Sequence, residues 1–195
     1  FKGWDYIGIE SIYKVDASQV RAIYFEADDV DVSLATVNDL ILAPVKRFLM
    51  DWSFKPEYAE LVEEHQKIKQ DKALWKGSPY DVIFSTADAI VKSDNHVLLG
   101  KRKFHPGRGL WAIPGGFIEQ HENVLHAALR ELKEETKIGL SNKTLMKYFK
   151  SVKVFDHPNR SCRGRFITHA HFFDLTGETI PDIQAADDLQ EVAWV

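Results

Sequence analysis

Residues 115–140, GGFIEQHENVLHAALRELKEETKIGL, limit what this chain can fold into more than any other stretch. Leu125, Ala128, Leu129 and Leu132 recur at helical spacing and mark an amphipathic helix with one buried stripe. On that helix Glu131 and Glu135 stand one above the other, and Glu134 lies on the adjoining side. The reading places these carboxylates on one arc of surface, off the apolar stripe. Like charges at such spacing destabilise a helix by roughly a few tenths of a kcal/mol per pair. A hard divalent cation turns that cost into a site, because oxygen ligands with open water positions suit a Mg²⁺ that also binds substrate phosphates. Arg130, one turn before Glu134, can hold a carboxylate by a forked pair. Gly115 and Gly116 follow the strand-like run 110–113, where a missing Cβ lets the backbone turn sharply and approach a ligand or metal. The plain alternative is a solvated helix face behind a glycine turn.

Gly116, Glu122, Arg130, Glu131, Leu132, Glu134, Glu135 and Ile138 together resemble the Nudix box, G-x(5)-E-x(7)-R-E-U-x-E-E-x-G-U with U aliphatic. One position departs: Lys137 stands where the pattern has the glycine that ends the helix, which puts the C-cap in question. The resemblance implies an α/β fold, the Nudix α/β/α sandwich with a mixed sheet. It also implies hydrolysis of a nucleoside diphosphate linked to another group. Mg²⁺ or Mn²⁺ would be held mainly by Glu131 and Glu135, with Glu134 assisting and a backbone carbonyl near Gly115 completing the shell. Arg130 belongs to the same catalytic set, and Gly116 and Glu122 support it.

The rest of the chain is read around that core. Among its 195 residues, 45% are apolar, including twelve Phe and five Trp, so a core is easily filled. The single cysteine, Cys162, excludes an internal disulfide framework and suits a reducing compartment. No apolar run approaches membrane-spanning length and no signal peptide opens the chain, so the expectation is a soluble, cytoplasmic protein without membrane contact. A net charge of -4 argues against general nucleic-acid binding. An anionic substrate must therefore meet local positive charge and metal.

Residues 81–91 and 97–100 flank a turn at 93–95, a hairpin signal. The loop KRKFHPGRG follows, and Arg102 heads its candidates for substrate contact, a solvated loop being the alternative. Trp111 either packs in the core or stacks on a base. Residues 148–155 read as a strand. In the loop FDHPNRSCRGRF, Arg160, Arg163 and Arg165 suit forked contacts with a diphosphate, an exposed basic loop being the plain reading. That loop resembles F-D-x-P-x-R-D-P-R-G-R of Nudix ADP-ribose pyrophosphatases, with Ser161-Cys162 in place of Asp-Pro. Residues 166–175 alternate as a strand carrying His169 and His171, read as hydrogen-bonded strand histidines rather than a metal pair. The resemblance also offers Asp187 or Asp188 as general base or outer metal ligand, a solvated loop weighing equally.

Before residue 80 no catalytic constellation is visible. Residues 4–12 read as a strand pair, Asp16-Ala-Ser18 as the start of a short helix, 28–32 as an acidic loop and 39–51 as another helix. Residues 56–75 form a polar helix broken at Gly77-Ser78-Pro79, with His65 a solvated side chain. The runs VDASQVRAIYFEADD and APVKRFLMDW are similar to the C-terminal part of nicotinamide-mononucleotide adenylyltransferases. In their I-S-x-T-x-x-R motif Ser18 and Arg21 keep the phosphate-handling groups, whereas Asp16 introduces an anion and the family's H-x-G-H motif is absent. A helix cap at Ser18 and a solvated Arg21 are the alternative.

The expected organisation is thus 1–55 as the end of a partial α/β, nucleotidyltransferase-like domain, 56–79 as connecting helix and linker, and 80–195 as the Nudix domain. The two resemblances imply a later part of a bifunctional protein of NAD metabolism. They imply a small nucleotide substrate, ADP-ribose, cleaved to AMP and ribose 5-phosphate. The alternatives are another nucleoside diphosphate derivative or an ADP-ribose-sensing regulatory module.

Overall fold

The computed structural model describes residues 16–26 and 29–195, so the strand pair expected at 4–12 lies outside the described residues. Residue contacts divide the chain into two compact units, 1–66 and 67–195.

The described part of the first unit is helical. Helix α1 (Ala17–Glu26) is capped by Asp16, whose Oδ1 accepts from the backbone N–H groups of Ser18 and Gln19 at 2.8 and 2.9 Å. The cap is therefore Asp16, while Ser18 sits inside the helix and its hydroxyl accepts from Arg21 at 3.3 Å. The loop expected to run to residue 32 instead starts α2 (Val30–Thr36), because Asp29 is a competent N-cap for Asp31 N–H. Helix α3 (Ala43–Trp52) opens with Pro44 in its first turn, where its missing N–H costs nothing. Helix α4 (Pro56–Leu74) supplies Tyr58 and Val62 to an aromatic core of Tyr24, Phe25, Leu34 and Val37. His65 is not simply solvated, since Nε2 lies 3.2 Å from Glu26 Oε2.

The second unit is built on a seven-stranded mixed sheet with order β3-β2-β1-β6-β5. Its strands are β1 (Ile83–Ser93), β2 (His96–Arg102), β3 (Trp111–Ala112), β4 (Gly115–Phe117), β5 (Phe149–Phe155), β6 (Arg165–Asp174) and β7 (Leu189–Trp194). Central β1 runs parallel to β6 from Ile83 to Lys92 but pairs with β2 only beside the turn, at Lys92↔Val97 and Ser93↔His96. The hairpin then splays. Short β4 fills the gap along β1, placing Gly115 opposite Asp88 and Gly116 opposite Ala87, while β7 and β3 pair with β2.

One face of β1 (Ala87, Ala89, Val91) is fully buried under α5 (Val124–Thr136), against Ala128, Leu129 and Leu132. Helix α6 (Asn142–Tyr148) buries Leu145 in the same core and leads directly into β5. The other face of β1 carries Thr86 and Asp88 toward a cleft.

Helix α5 starts at Asn123, whose side chain accepts from His126 N–H, and ends where the glycine was missing. Lys137 occupies the left-handed region itself, at φ 45°, ψ 31°, and its N–H reaches the carbonyl of Lys133. An L-residue with a Cβ is held there at a cost of roughly 1–2 kcal/mol. Lys137→Gly is accordingly expected to stabilise the fold by about 1 kcal/mol, read as a higher urea midpoint at unchanged slope.

Candidate functional site

The diglycine of the motif lies within a strand, not at a sharp turn. Its requirement for glycine is one of space. A Cβ at Gly115 would come 2.6 Å from the Ala87 carbonyl and 2.7 Å from the Asp88 Cα, and one at Gly116 would lie 2.5 Å from Glu131 Oε1. The bare backbone thus lets two carboxylates of α5 lie against β4. Glu131 abuts Gly116, and Glu135 accepts from the Gly115 N–H at 2.9 Å.

The expectation that all three glutamates share one arc of surface is corrected here. Glu135 is buried (6% exposed), because it lies three residues beyond Leu132 and seven beyond Ala128 and so continues the apolar stripe. Glu134 points outward and belongs to a hub centred on Arg130. Arg130 forks onto Glu122, Nε to Oε2 at 3.1 Å and Nη2 to Oε1 at 2.6 Å, so the forked partner is Glu122, not Glu134. Its Nη1 then bridges Glu131 Oε1 and Glu134 Oε2, each at 2.9 Å, and Nη2 also donates to the Phe117 carbonyl. Glu122 in turn accepts from Glu119 N–H, which fixes the loop ahead of the helix.

Burial leaves its mark on these acids. Desolvation first, with Glu131 and Asp188 adding like charge, pushes the Glu135 carboxyl up to about 8, against the opposing bond from Gly115 and the charge of Arg102. Glu131 is also raised by burial, partly offset by Arg130. Conversely, its bond to Arg130 holds Glu122 below the ordinary carboxylate range.

The carbonyls at the end of α5 are taken by the 182–186 segment, since Gln184 N–H donates to Thr136 and Ala186 N–H to Glu135. This brings Asp187 and Asp188 to the glutamates. Asp187 stands at φ 51°, and its charge raises Glu131 while that of Asp188 raises Glu135.

Opposite lies a cleft of about 370 Å³. Arg102, Arg160 and Arg163 line it together with Gly115, Gly116 and Asp88. Arg102 is oriented by the Pro106 carbonyl, which accepts from its Nε at 2.9 Å, and Arg160 by the Thr168 hydroxyl. Arg165 is absent from this lining, its guanidinium instead donating to the Asp156 carbonyl. Trp111 is neither core nor cleft wall; it is 42% exposed with Lys101 over its ring. His171 is buried and lowered by burial, its Nδ1 3.0 Å from the His169 carbonyl, as a structural strand histidine would be.

Sequence reading missed Asp88. Burial pushes its carboxyl up to about 6, with Arg160 opposing and Glu131 adding to the shift. A carboxylate inside the apolar alternation ADAIV was the available signal.

Among the described residues no three His, Cys, Asp or Glu side chains are gathered into a ready-made metal cage. The donor set nevertheless fits a hard divalent cation. Glu131, half-buried, and Glu135, buried, are raised acids set against a glycine strand, and a cation beside them would favour the ionised form that burial disfavours.

A pH dependence follows for the metal-free protein. Between the ordinary value of 4.5 and about 8, folded Glu135 binds a proton that the unfolded chain has lost, so stability falls as pH rises. His171, held low by burial, opposes this only below the ordinary histidine value of 6.5. From pH 6.5 to 8 the expected loss is on the order of 1–2 kcal/mol, measured by denaturation in chelator. Glu135→Gln should abolish most of it.

Residues 84–195 match the NUDIX domain family, and the chain belongs to that family. An ADP-ribose pyrophosphatase of Methanocaldococcus jannaschii is 38% identical over 107 residues, covering 55% of this chain and 58% of that protein. A bifunctional NMN adenylyltransferase/ADP-ribose pyrophosphatase from Francisella tularensis, crystallised with AMP and a manganese ion, is 35% identical with a TM-score of 0.81. That match covers 98% of this chain and 56% of the Francisella chain. An ADPR-responsive transcriptional repressor of Acinetobacter baylyi is 30% identical over 106 residues, covering 51% of this chain and 40% of the repressor. The chain thus spans little more than half the length of its pyrophosphatase relatives. Among the described residues no helix is long and apolar enough to cross a membrane.

Proposed function

We propose that the chain hydrolyses the diphosphate of ADP-ribose to AMP and ribose 5-phosphate. The observation that carries this reading is the pair of α5 glutamates, Glu131 and buried Glu135, set against a glycine strand whose Gly115 and Gly116 line the same cleft as Arg102, Arg160 and Arg163. The 38% identity to an ADP-ribose pyrophosphatase supports the choice of substrate.

In this reading Glu131 and Glu135 would hold Mg²⁺ or Mn²⁺, together with a backbone carbonyl near Gly115. Glu134 assists through Arg130, which ties it to Glu131. A bound divalent cation supplies charge neutralisation of the diphosphate and a lowered pKa for the attacking water. The chain's own residues do the rest. Arg160 and Arg163 stabilise the negative charge that builds on the leaving phosphate as the P–O bond breaks, and Arg102, lining the same cleft, orients the diphosphate. Asp187 or Asp188 takes the proton of the attacking water. Asp88 fixes Arg160 electrostatically in the cleft. Arg165, held by Asp156, shapes the loop instead of touching substrate.

The likeness to the Francisella protein over nearly all of this chain supports the wider organisation. Residues 1–55 would then be the end of a nicotinamide-mononucleotide adenylyltransferase-like domain, 56–79 the connection, and 80–195 the hydrolase, in a cytoplasmic protein of NAD metabolism.

The test is a substrate panel with Mg²⁺ and Mn²⁺: ADP-ribose, NADH, dinucleoside polyphosphates and oxidised deoxynucleoside triphosphates. ADP-ribose is expected to give the highest kcat/KM. Preference for another member would move the chain to a different nucleotide, and tight ADP-ribose binding without turnover would make it a sensor.

A further inference from the structure

A second cavity, of about 200 Å³, adjoins the arginine-lined cleft within the same unit, sharing Phe117, Arg163 and Phe166 with it. Its other walls come from Phe84 on β1 and from Asp71, Leu74 and Trp75, at and just beyond the end of α4. Whole drug-sized ligands occupy roughly 300–1,000 Å³. This space is smaller, so it takes part of a ligand whose remainder lies next door.

Its lining is an aromatic box. Phe84 and Phe166 stack at 4.9 Å between centroids, Trp75 meets Phe84 edge-on at 5.5 Å, and Phe117 closes on Phe84 at 5.8 Å. Arg163 lies over the rings of Phe117 and Phe166, at 5.9 and 5.2 Å, and so belongs to both spaces. Trp75 is 51% exposed, and its indole presents a free face where a core tryptophan would present none. An aromatic-lined space with a guanidinium at its junction to a diphosphate cleft, and the Asp71 carboxylate at its edge, matches the base end of a nucleotide.

We propose that this slot binds the purine base of the substrate and that Trp75 stacks on it. Trp75, which the sequence reading placed at the end of the connecting helix, thereby becomes a wall of the substrate site. The inference rests on the nucleoside-diphosphate reading above, but its test does not need turnover.

AMP and ribose 5-phosphate are titrated separately into the full chain with Mg²⁺, by calorimetry. Trp75→Ala is expected to weaken AMP about tenfold, toward the low end of what base stacking supplies because the indole is half exposed, and to leave ribose 5-phosphate unchanged. Trp75→Phe, which keeps an aromatic face, should retain most of the AMP affinity. The intrinsic fluorescence change that AMP produces in the parent should shrink in Trp75→Phe, a readout that stands even if the alanine variant fails to fold. In turnover of ADP-ribose, KM should rise with kcat nearly constant. Unchanged AMP affinity in a folded Trp75→Ala overturns the proposal, as does an equal loss for both ligands. Absence of ADP-ribose hydrolysis with AMP binding through Trp75 intact would sink the hydrolase reading and spare the slot.

Discussion

Glu135→Gln should reduce kcat for ADP-ribose by about a thousandfold or more, corresponding to roughly 4 kcal/mol of lost transition-state stabilisation. Gln keeps the shape and still offers an oxygen to the Gly115 N–H, so the bond that seats residue 135 on the strand survives. What is lost is the negative charge. That charge is costly in the metal-free fold, because it is buried beside Glu131 and Asp188. Removing it should therefore leave the metal-free protein at least as stable as the parent at pH 8, while metal affinity falls. The combination is diagnostic, because a merely structural glutamate would lose stability and activity together. Turnover of the variant within a few-fold of the parent would defeat the assignment of residue 135.

How far the sequence could be read depends on whether each feature is local. Helical spacing alone places Leu129 and Leu132 in the core, and the same spacing, carried one step further from Ala128, would have buried Glu135 as well. The caps at Asn123 and Asp29 are local hydrogen-bond chemistry, yet the sequence reading names neither and takes the second for part of an acidic loop. Gly115 and Gly116 are different. Their need for glycine comes from Asp88 and Glu131, which approach from β1 and α5, and no short-range pattern carries that.

The arginine loop divides along the same line. Composition marks Arg160, Arg163 and Arg165 alike, but only the contacts of Arg160 with Thr168 on β6 and of Arg165 with the Asp156 carbonyl decide which of them face the cleft. Trp111 lies on β3 at the edge of the sheet, where it is left half outside, so its size was a poor guide to burial.

Arg130→Met should lower stability by roughly 2–3 kcal/mol, somewhat less than the ~3–5 kcal/mol of a fully buried pair because Glu134 reaches solvent. The side chain is the common partner of Glu122, Glu131 and Glu134, and two of those acids are largely covered. Methionine fills comparable volume, so the loss reports unpaired charge and the freed Phe117 carbonyl, not a cavity. Arg130→Lys separates the two. A lysine keeps one positive charge but cannot fork onto Glu122 while bridging Glu131 and Glu134, so it should recover part of the stability and little of the turnover. Turnover is expected to follow the fork, since Arg130 ties Glu131, which lies against Gly116, to the loop before α5. The pH profile adds an independent check. Glu122 is held low by Arg130, so its contribution is complete above the ordinary carboxylate range and is lost as pH falls through its folded value. In Arg130→Met that acid-side loss should shrink, and a variant as stable as the parent at pH 7 would mean that the three acids need no common cation.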